Sequence, residues 1–177
     1  MAASDECQSA QERLERWVRE HAGAVRGYVL ALVRRADAAD DLVQEVFERA
    51  WQARGRYRDE GHERAYLLRI ADRLVIDRSR RQRREINLDD ATWHEVEPAA
   101  DFQSPLDELS FDESSEELKA AIDRLTPPQK RVLLLRFFGN LTFEEIAQTI
   151  GCPLGTTLSH CRRGLVQLRT LLTTKDV

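Results

Sequence analysis

The chain has 177 residues, of which 42% are apolar and 33% charged, and this balance predicts a folded, soluble protein of one ordinary or two small domains. Its longest apolar run covers only residues 28–33, and its N-terminus lacks the basic and apolar segments of a secretion signal, so membrane-spanning and secreted proteins are excluded. The formal net charge of −4 is the sum over two basic regions and one acidic segment, so it does not exclude a nucleic-acid partner for the basic regions.

Three amphipathic helices are predicted in residues 1–85. Apolar side chains recur there every three or four positions, which is the pattern of a helix that buries one face. The first helix is expected from Leu14 to Leu32, and the second begins at Asp37, which is a suitable N-cap residue. The third begins near His62. No segment alternates with the period of a strand, so this part of the chain is predicted to be a small helical bundle.

An acidic linker is predicted at residues 86–115. The stretch from residue 85 to residue 115 contains ten acidic residues and no basic one, together with Pro98 and Pro105. Like charges repel one another and extend a chain, so we expect a flexible tether. It could hold one short helical turn at its weakly periodic apolar residues, Leu106, Leu109 and Phe111.

A helix-turn-helix is predicted within residues 116–177. Thr142 and Glu145 have the spacing of a capping box, which opens a short helix. Gly151 is expected to close that helix in a left-handed turn, and Leu154 to fill the gap before the last helix. The last helix carries side chains that suit phosphates and base edges in a DNA major groove, although they could equally face solvent in an ordinary helical hairpin. These are Thr156, Ser159, His160, Arg162, Arg163 and Arg169.

Three segments in this order carry a resemblance to a known family. Residues 40–51 contain DDLVQEVF followed by AW, residues 65–84 read AYLLRIADRLVIDRSRRQRR, and residues 125–172 contain LTPPQKRVLLLR, LTFEEIAQTIG and GTTLSHCRRGLVQLR. They resemble the polymerase-binding helix, the promoter-melting helices and the C-terminal helix-turn-helix of the extracytoplasmic-function (ECF) group of bacterial sigma-70 factors. The resemblance implies an all-α fold with a region-2 domain at residues 1–85 and a region-4 domain at residues 116–177. It also implies a protein that binds core RNA polymerase and directs promoter recognition and opening.

The first of these segments is the candidate polymerase-binding site. Its carboxylates and amide form an acidic surface beside Phe47, which we expect to be exposed, and such a surface suits a basic partner helix. The alternatives are a solvated helix face and a carboxylate metal site, and no His-x-x-Glu pairing supports the latter. The resemblance implies docking on the largest polymerase subunit through Asp40, Asp41, Leu42, Gln44, Glu45 and Phe47.

The second segment is the candidate site for the −10 promoter element. Residues 62–84 contain eight arginines and three acidic residues, and several of the arginines share one helix face that could neutralise DNA phosphates. An arginine-rich helix that only keeps the protein soluble is the alternative. The family usually has Trp where Tyr66 stands and Asn where Arg73 stands. The resemblance assigns −10 recognition to Tyr66, Arg69, Arg73, Arg80, Arg81 and Arg84.

The last helix is the candidate site for the −35 element. The resemblance assigns this contact to Thr156, Ser159, His160, Arg162 and Arg163. Family members commonly carry basic residues where Leu158 and His160 stand. Leu158 can touch a thymine methyl group but cannot pair with phosphate or guanine. We therefore expect an unusual or weakened preference at the −35 element.

The remaining polar residues indicate neither a metal site nor an enzyme. Cys7, Cys152 and Cys161 have no C-x-x-C spacing, which fits a reducing cytoplasm and free, mostly buried thiols. No paired carboxylates, catalytic triad or phosphate loop is present, so no catalytic residue and no cofactor is predicted. The resemblance implies an anti-sigma factor as a further partner. A stand-alone helix-turn-helix regulator and a helical adaptor are the alternative functions.

Overall fold

The computed structural model describes residues 2–57, 61–89 and 113–173. Within these ranges the chain forms seven α-helices and no β-strand, which confirms the predicted all-α fold. No helix among these residues is both long and apolar enough to cross a membrane. The helices are α1 (Ala2–Val33), α2 (Ala36–Gln52), α3 (Glu63–Asp89), α4 (Glu113–Asp123), α5 (Pro127–Phe137), α6 (Phe143–Ile150) and α7 (Leu154–Thr173).

Helices α1, α2 and α3 pack on one another as the first domain. Their shared core is formed by apolar residues at helical spacing, among them Trp17 and Tyr28 of α1, Val46 of α2, and Leu67 and Leu68 of α3. Burying side chains of this size stabilises the domain by roughly 1.5–3 kcal/mol each. The three predicted helices are therefore present, and their apolar stripes face inward as expected.

Two helix starts differ from the sequence-based expectation. Helix α1 begins at Ala2 rather than near Leu14, because the polar residues before its apolar stripe still favour helix. Cys7 therefore lies on α1 and not in a mobile tail. Arg35, not Asp37, occupies the N-cap of α2. Asp37 lies in the first turn instead, where its carboxylate accepts hydrogen bonds from Arg35.

Helices α4 to α7 form the second domain, and its turns are set by local caps. Thr142 and Glu145 form the predicted capping box at the start of α6, and Gly151 ends that helix with φ of 75°, in the left-handed region. Thr126 forms a second capping box, with Gln129, at the start of α5. Leu154 was expected to fill the gap between α6 and α7 but is exposed.

The inner face of α7 carries small and polar side chains instead of Leu154. Thr157 and Cys161 are buried there, and Gly164 is buried against α5. Leu154 has the same helical spacing as these inward positions, but it is the first residue of α7 and remains 40% exposed.

Two helices extend into the predicted linker. Helix α3 continues to Asp89 and α4 begins at Glu113, so the helices extend a few residues into both ends of the predicted linker at residues 86–115. The short helical turn predicted around Leu106, Leu109 and Phe111 lies outside the described residues.

The two domains contact each other directly. One continuous cluster of buried apolar residues includes side chains of both, because α3 packs against α6 and α1 packs against α5. At the centre of this contact, Asp72 of α3 is only 1% exposed and pairs with Arg131 of α5. The sequence predicts two lobes and a linker, and the structure adds an interface between the lobes.

Candidate functional site

An acidic and amide surface lies along the exposed side of α2. Asp41 is exposed, whereas Asp40 accepts a 2.7 Å hydrogen bond from Arg26 Nε, and Glu45 lies 2.6 Å from Arg49 Nη2. These two pairs partly neutralise Asp40 and Glu45 within the domain itself. The surface available to a basic partner consists of Asp40, Asp41, Gln44, Glu45 and Glu48.

Two apolar residues predicted to contact the polymerase lie differently from expectation. Leu42 is 4% exposed and belongs to the core, together with Val46 and Ala50 at helical spacing. In this conformation the Leu42 side chain therefore holds α2 against the other helices, and its contact with the polymerase stays a prediction. Phe47, expected to be exposed, is partly buried against the same core, and only its edge can reach a partner.

The arginine-rich face of α3 is largely open to solvent. Arg73, Arg80, Arg81 and Arg84 are exposed, so four of the five arginines predicted to contact the −10 element are accessible. Arg69 is half-buried, and its Nη2 donates a hydrogen bond of 3.3 Å to Gln148 Oε1 of α6. Its Nε is buried and has no hydrogen-bond partner among the described residues.

Tyr66 belongs to an aromatic cluster at the N-terminal end of α3. Its ring centroid lies 4.7 Å from that of Tyr57 and 6.0 Å from that of Trp17. Burial raises the pKa of the Tyr66 phenol, which therefore stays protonated as a hydrogen-bond donor. The cluster gives the −10 candidate site a rigid apolar border, of the kind on which an unstacked base can pack.

An open cleft between α2 and α3 joins the acidic surface to the arginine face. It has a volume of about 280 Å³. Arg49 and Arg78 line this cleft, although neither was singled out from the sequence. Arg78 lies three positions before Arg81, and Arg49 lies four positions after Glu45. This helical spacing places each arginine beside a site residue that the sequence predicts, and it is the signal that could have identified them. The cleft is lined by Leu42, Glu45, Arg49, Leu74, Asp77, Arg78, Arg81 and Gln82.

The predicted −35 residues occupy the first half of α7. Thr156, Arg162 and Arg163 are exposed, and Ser159 and His160 are partly buried. Arg163 Nη2 donates a 3.2 Å hydrogen bond to Ser159 Oγ, which orients the guanidinium along the helix. All five residues thus lie on one short stretch of helix.

Leu158 lies among these polar residues. Its side chain is 44% exposed. An apolar side chain on a surface otherwise built for phosphate and base contacts supports the expected departure at the −35 element.

Both domains match known families. Residues 17–85 match the family model of Sigma-70 region 2, and residues 121–170 match that of Sigma-70, region 4. The ECF RNA polymerase sigma factor EcfG of Rhodopseudomonas palustris is 30% identical to the chain over 149 residues, which cover 84% of this chain and 79% of that protein. The chain belongs to the ECF sigma factors of the sigma-70 family. Because each domain matches a region of the sigma-70 family, neither a stand-alone regulator nor an adaptor is needed to explain this sigma factor.

Further similarities agree with this family. The sigma factor SigE of Mycolicibacterium smegmatis is 33% identical over 170 residues, which cover 93% of this chain and 63% of that protein. Among solved structures, the sigma factor RpoE of Bartonella quintana, crystallised with the anti-sigma factor NepR, superposes with a TM-score of 0.75 at 24% identity. The superposition covers 92% of this sigma factor and 98% of that chain, so the two share a fold.

Cys152 and Cys161 of this sigma factor lie in or beside the helix-turn-helix, whereas Cys7 lies on α1. Cys152 Sγ is 3.1 Å from Thr157 Oγ1, and Cys161 is buried. Burial raises the pKa of the Cys161 thiol, which disfavours the reactive thiolate. In the described part of the chain, no group of three or more His, Cys, Asp or Glu side chains could hold a metal ion. In this fold Cys161 is therefore a packing group, and Cys152 is half-buried beside Thr157.

Proposed function

We propose that this sigma factor docks on core RNA polymerase through the exposed side of α2. The observation that supports this site is the row of solvent-facing acidic and amide groups on a helix whose opposite side is anchored in the core. The contact residues in this proposal are Asp40, Asp41, Gln44 and Glu45, with the edge of Phe47, and Leu42 acts by holding the helix.

We propose further that the two domains divide the promoter between them. The exposed arginines of α3, with Tyr66 at one end, bind the −10 element and its separated strand, because their positive charge neutralises phosphates. The first half of α7 binds the −35 element in the major groove. In this proposal the domain boundaries are those predicted from the sequence, residues 1–85 and 116–177, although α4 begins at Glu113, inside the predicted linker.

The partners of related sigma factors suggest a third contact. RpoE is bound to the anti-sigma factor NepR, and CnrH, which superposes with a TM-score of 0.68, is bound to the cytosolic domain of CnrY. We infer that an anti-sigma factor also holds this protein, in the cytoplasm, and competes with polymerase for α2. The protein itself acts by binding and not as an enzyme.

The salt dependence of promoter binding tests the −10 assignment. Replacing Arg80, Arg81 and Arg84 together by Gln should lower the slope of log K against log salt by about 2, at roughly 0.7 per phosphate contact on single-stranded DNA. The measurement is fluorescence anisotropy of a labelled promoter fragment bound by the reconstituted polymerase holoenzyme at several salt concentrations.

A matched variant controls for the loss of charge. Replacing three exposed arginines elsewhere on the first domain, Arg16, Arg19 and Arg56, by Gln removes the same charge from another surface. If both triple variants change the slope equally, or if neither does, the arginine face of α3 does not contact the DNA.

A further inference from the structure

A buried polar network joins the two domains. Asp72 of α3 accepts a 2.7 Å hydrogen bond from Tyr28 Oη of α1 and another of 2.7 Å from Arg131 Nε of α5, and Arg131 Nη2 binds its second oxygen. Tyr28 and Asp72 are buried, and the Arg131 side chain is 18% exposed. A buried carboxylate is tolerated only when its charge is paired and its oxygens are hydrogen-bonded. Here the pairing guanidinium comes from the other domain.

Polar contacts surround this network on both sides. Arg34, at the end of α1, lies 2.8 Å from Asp123 of α4. His62 Nδ1 lies 2.9 Å from Glu145 Oε1 at the start of α6. Both pairs again join the first domain to the second. The network and its neighbours therefore form one interface.

Apolar packing completes the interface. Phe138, at the end of α5, lies against Gly27 of α1, where an added Cβ would be 4.0 Å from its ring. Gly139 lies against Leu68 of α3, where an added Cβ would be 2.8 Å from the Leu68 methyl group. Of these two positions, only Gly139 would crowd the other domain if it carried a side chain, because a Cβ at Gly27 would make an ordinary van der Waals contact.

This closed arrangement conflicts with binding to both promoter elements. Elements centred at −10 and −35 are separated by about 25 base pairs, or roughly 85 Å at 3.4 Å per step. In the closed chain α6 of the helix-turn-helix lies in hydrogen-bond contact with α3. The 23 residues between Asp89 and Glu113 could span at most about 80 Å if fully extended, and the 27-residue helix α3 before them is itself about 40 Å long, so the covalent connection permits the separation.

Closure also affects the two candidate sites differently. Arg69 is half-buried and donates a hydrogen bond to Gln148 of α6, so this one arginine of the −10 face is less accessible than the other four. Asp41 and Gln44 on α2 stay exposed, so the polymerase-docking surface is accessible in the same conformation.

We propose that the isolated sigma factor is closed on itself, and that the Asp72–Arg131 pair is the latch that holds region 4 against α3, beside Arg69. Breaking the latch separates the domains without unfolding them, because Asp72 then regains water. The consequence for DNA rests on the proposed function: the closed chain binds DNA weakly, and opening exposes Arg69 and frees α7 to reach its own element.

The first test breaks the pair in the full-length chain. Arg131→Gln leaves the Asp72 charge uncompensated when the domains are closed, and Arg124→Gln removes the same charge from an exposed position in the same domain. Small-angle X-ray scattering measures the radius of gyration, which is about 16 Å for a compact chain of this length. We expect Arg131→Gln to raise it by several ångströms at unchanged helical circular dichroism, and Arg124→Gln to leave it as in the wild type.

The second test separates the domains by bulk instead of by charge. Gly27→Arg places a long side chain against Phe138, whereas Gly23→Arg, one turn earlier on α1, points into open space. Both changes add the same charge and favour helix equally. We expect expansion from Gly27→Arg alone.

Anisotropy with a fluorescein-labelled single-stranded DNA oligonucleotide then measures the consequence. If nine chains in ten are closed, opening should raise the apparent affinity about 10-fold in Arg131→Gln over Arg124→Gln, and in Gly27→Arg over Gly23→Arg. The proposed latch is wrong if the wild-type chain is already extended, or if the variants are as compact as the wild type. If the expanded variants bind DNA no better than their controls, closure does not inhibit DNA binding. Expansion with no DNA binding by any variant would instead support the latch and remove the proposed promoter contact.

Discussion

Gly164 lets the recognition helix α7 lie directly on α5, and a side chain there should force the two helices apart. An added Cβ would lie 2.9 Å from Leu133 Cδ1 and 3.4 Å from Gln129 Cβ. The Leu133 methyl group could move aside for a single carbon. The two further methyl groups of Gly164→Val have no such space, because Leu133 and Gln129 are both buried.

The expected cost follows from these contacts. Overpacking a filled helix contact costs about 1–3 kcal/mol, and the better helix propensity of Val than Gly returns a few tenths of a kcal/mol. The net loss in the free energy of unfolding should be about 1–2.5 kcal/mol. For a domain of this size it corresponds to a fall in Tm of roughly 5–15 °C.

Thermal and urea unfolding followed by circular dichroism measure this loss. Gly155→Val on the same helix is the matched control, because no heavy atom lies within 4 Å of its added Cβ. The control should stay within about 0.5 kcal/mol of the wild type. A Gly164→Val variant as stable as this control would refute the close crossing of α5 and α7.

Two further predictions concern the helix-turn-helix. Thr142→Ala removes the side chain that accepts a hydrogen bond from the Glu145 backbone N–H, and should lower the free energy of unfolding by about 1 kcal/mol in urea titrations; an unchanged midpoint would contradict the role of the cap. Leu158→Lys together with His160→Arg restores two cations on α7, and should strengthen −35 binding or shift its sequence preference in a selection from randomised duplexes. The same affinity and the same selected sequences in both proteins would count against α7 as the reading helix.

Local features of the fold were predictable because neighbouring residues determine them. The capping box of Thr142 and Glu145 and the left-handed turn at Gly151 each depend on a few consecutive residues, and all lie where the sequence predicts. The helical periodicity of the apolar residues likewise predicted the all-α fold. The exposure of single side chains was harder to predict, because it depends on how whole helices pack. Leu154 is exposed and Phe47 is partly buried, and both differ from expectation for this reason.

The interface between the domains could not be predicted from the sequence. Asp72 and Arg131 are 59 positions apart, and each looks like an ordinary solvent-facing charge on an amphipathic helix. Their pairing depends on how two independently patterned domains approach each other, which periodicity does not encode. The half-burial of Arg69 follows from the same approach, so the sequence alone overestimated how many arginines are available to DNA.

Binding to bacterial core RNA polymerase is the most direct test of the central claim, the docking role of α2. Biolayer interferometry with immobilised core enzyme should show tight binding by the wild type and its loss in Asp41→Lys, because a cation then faces the basic partner. Glu12→Lys makes the same change of charge on exposed α1 and should bind as the wild type. Equal binding by all three folded proteins would contradict the docking site on α2.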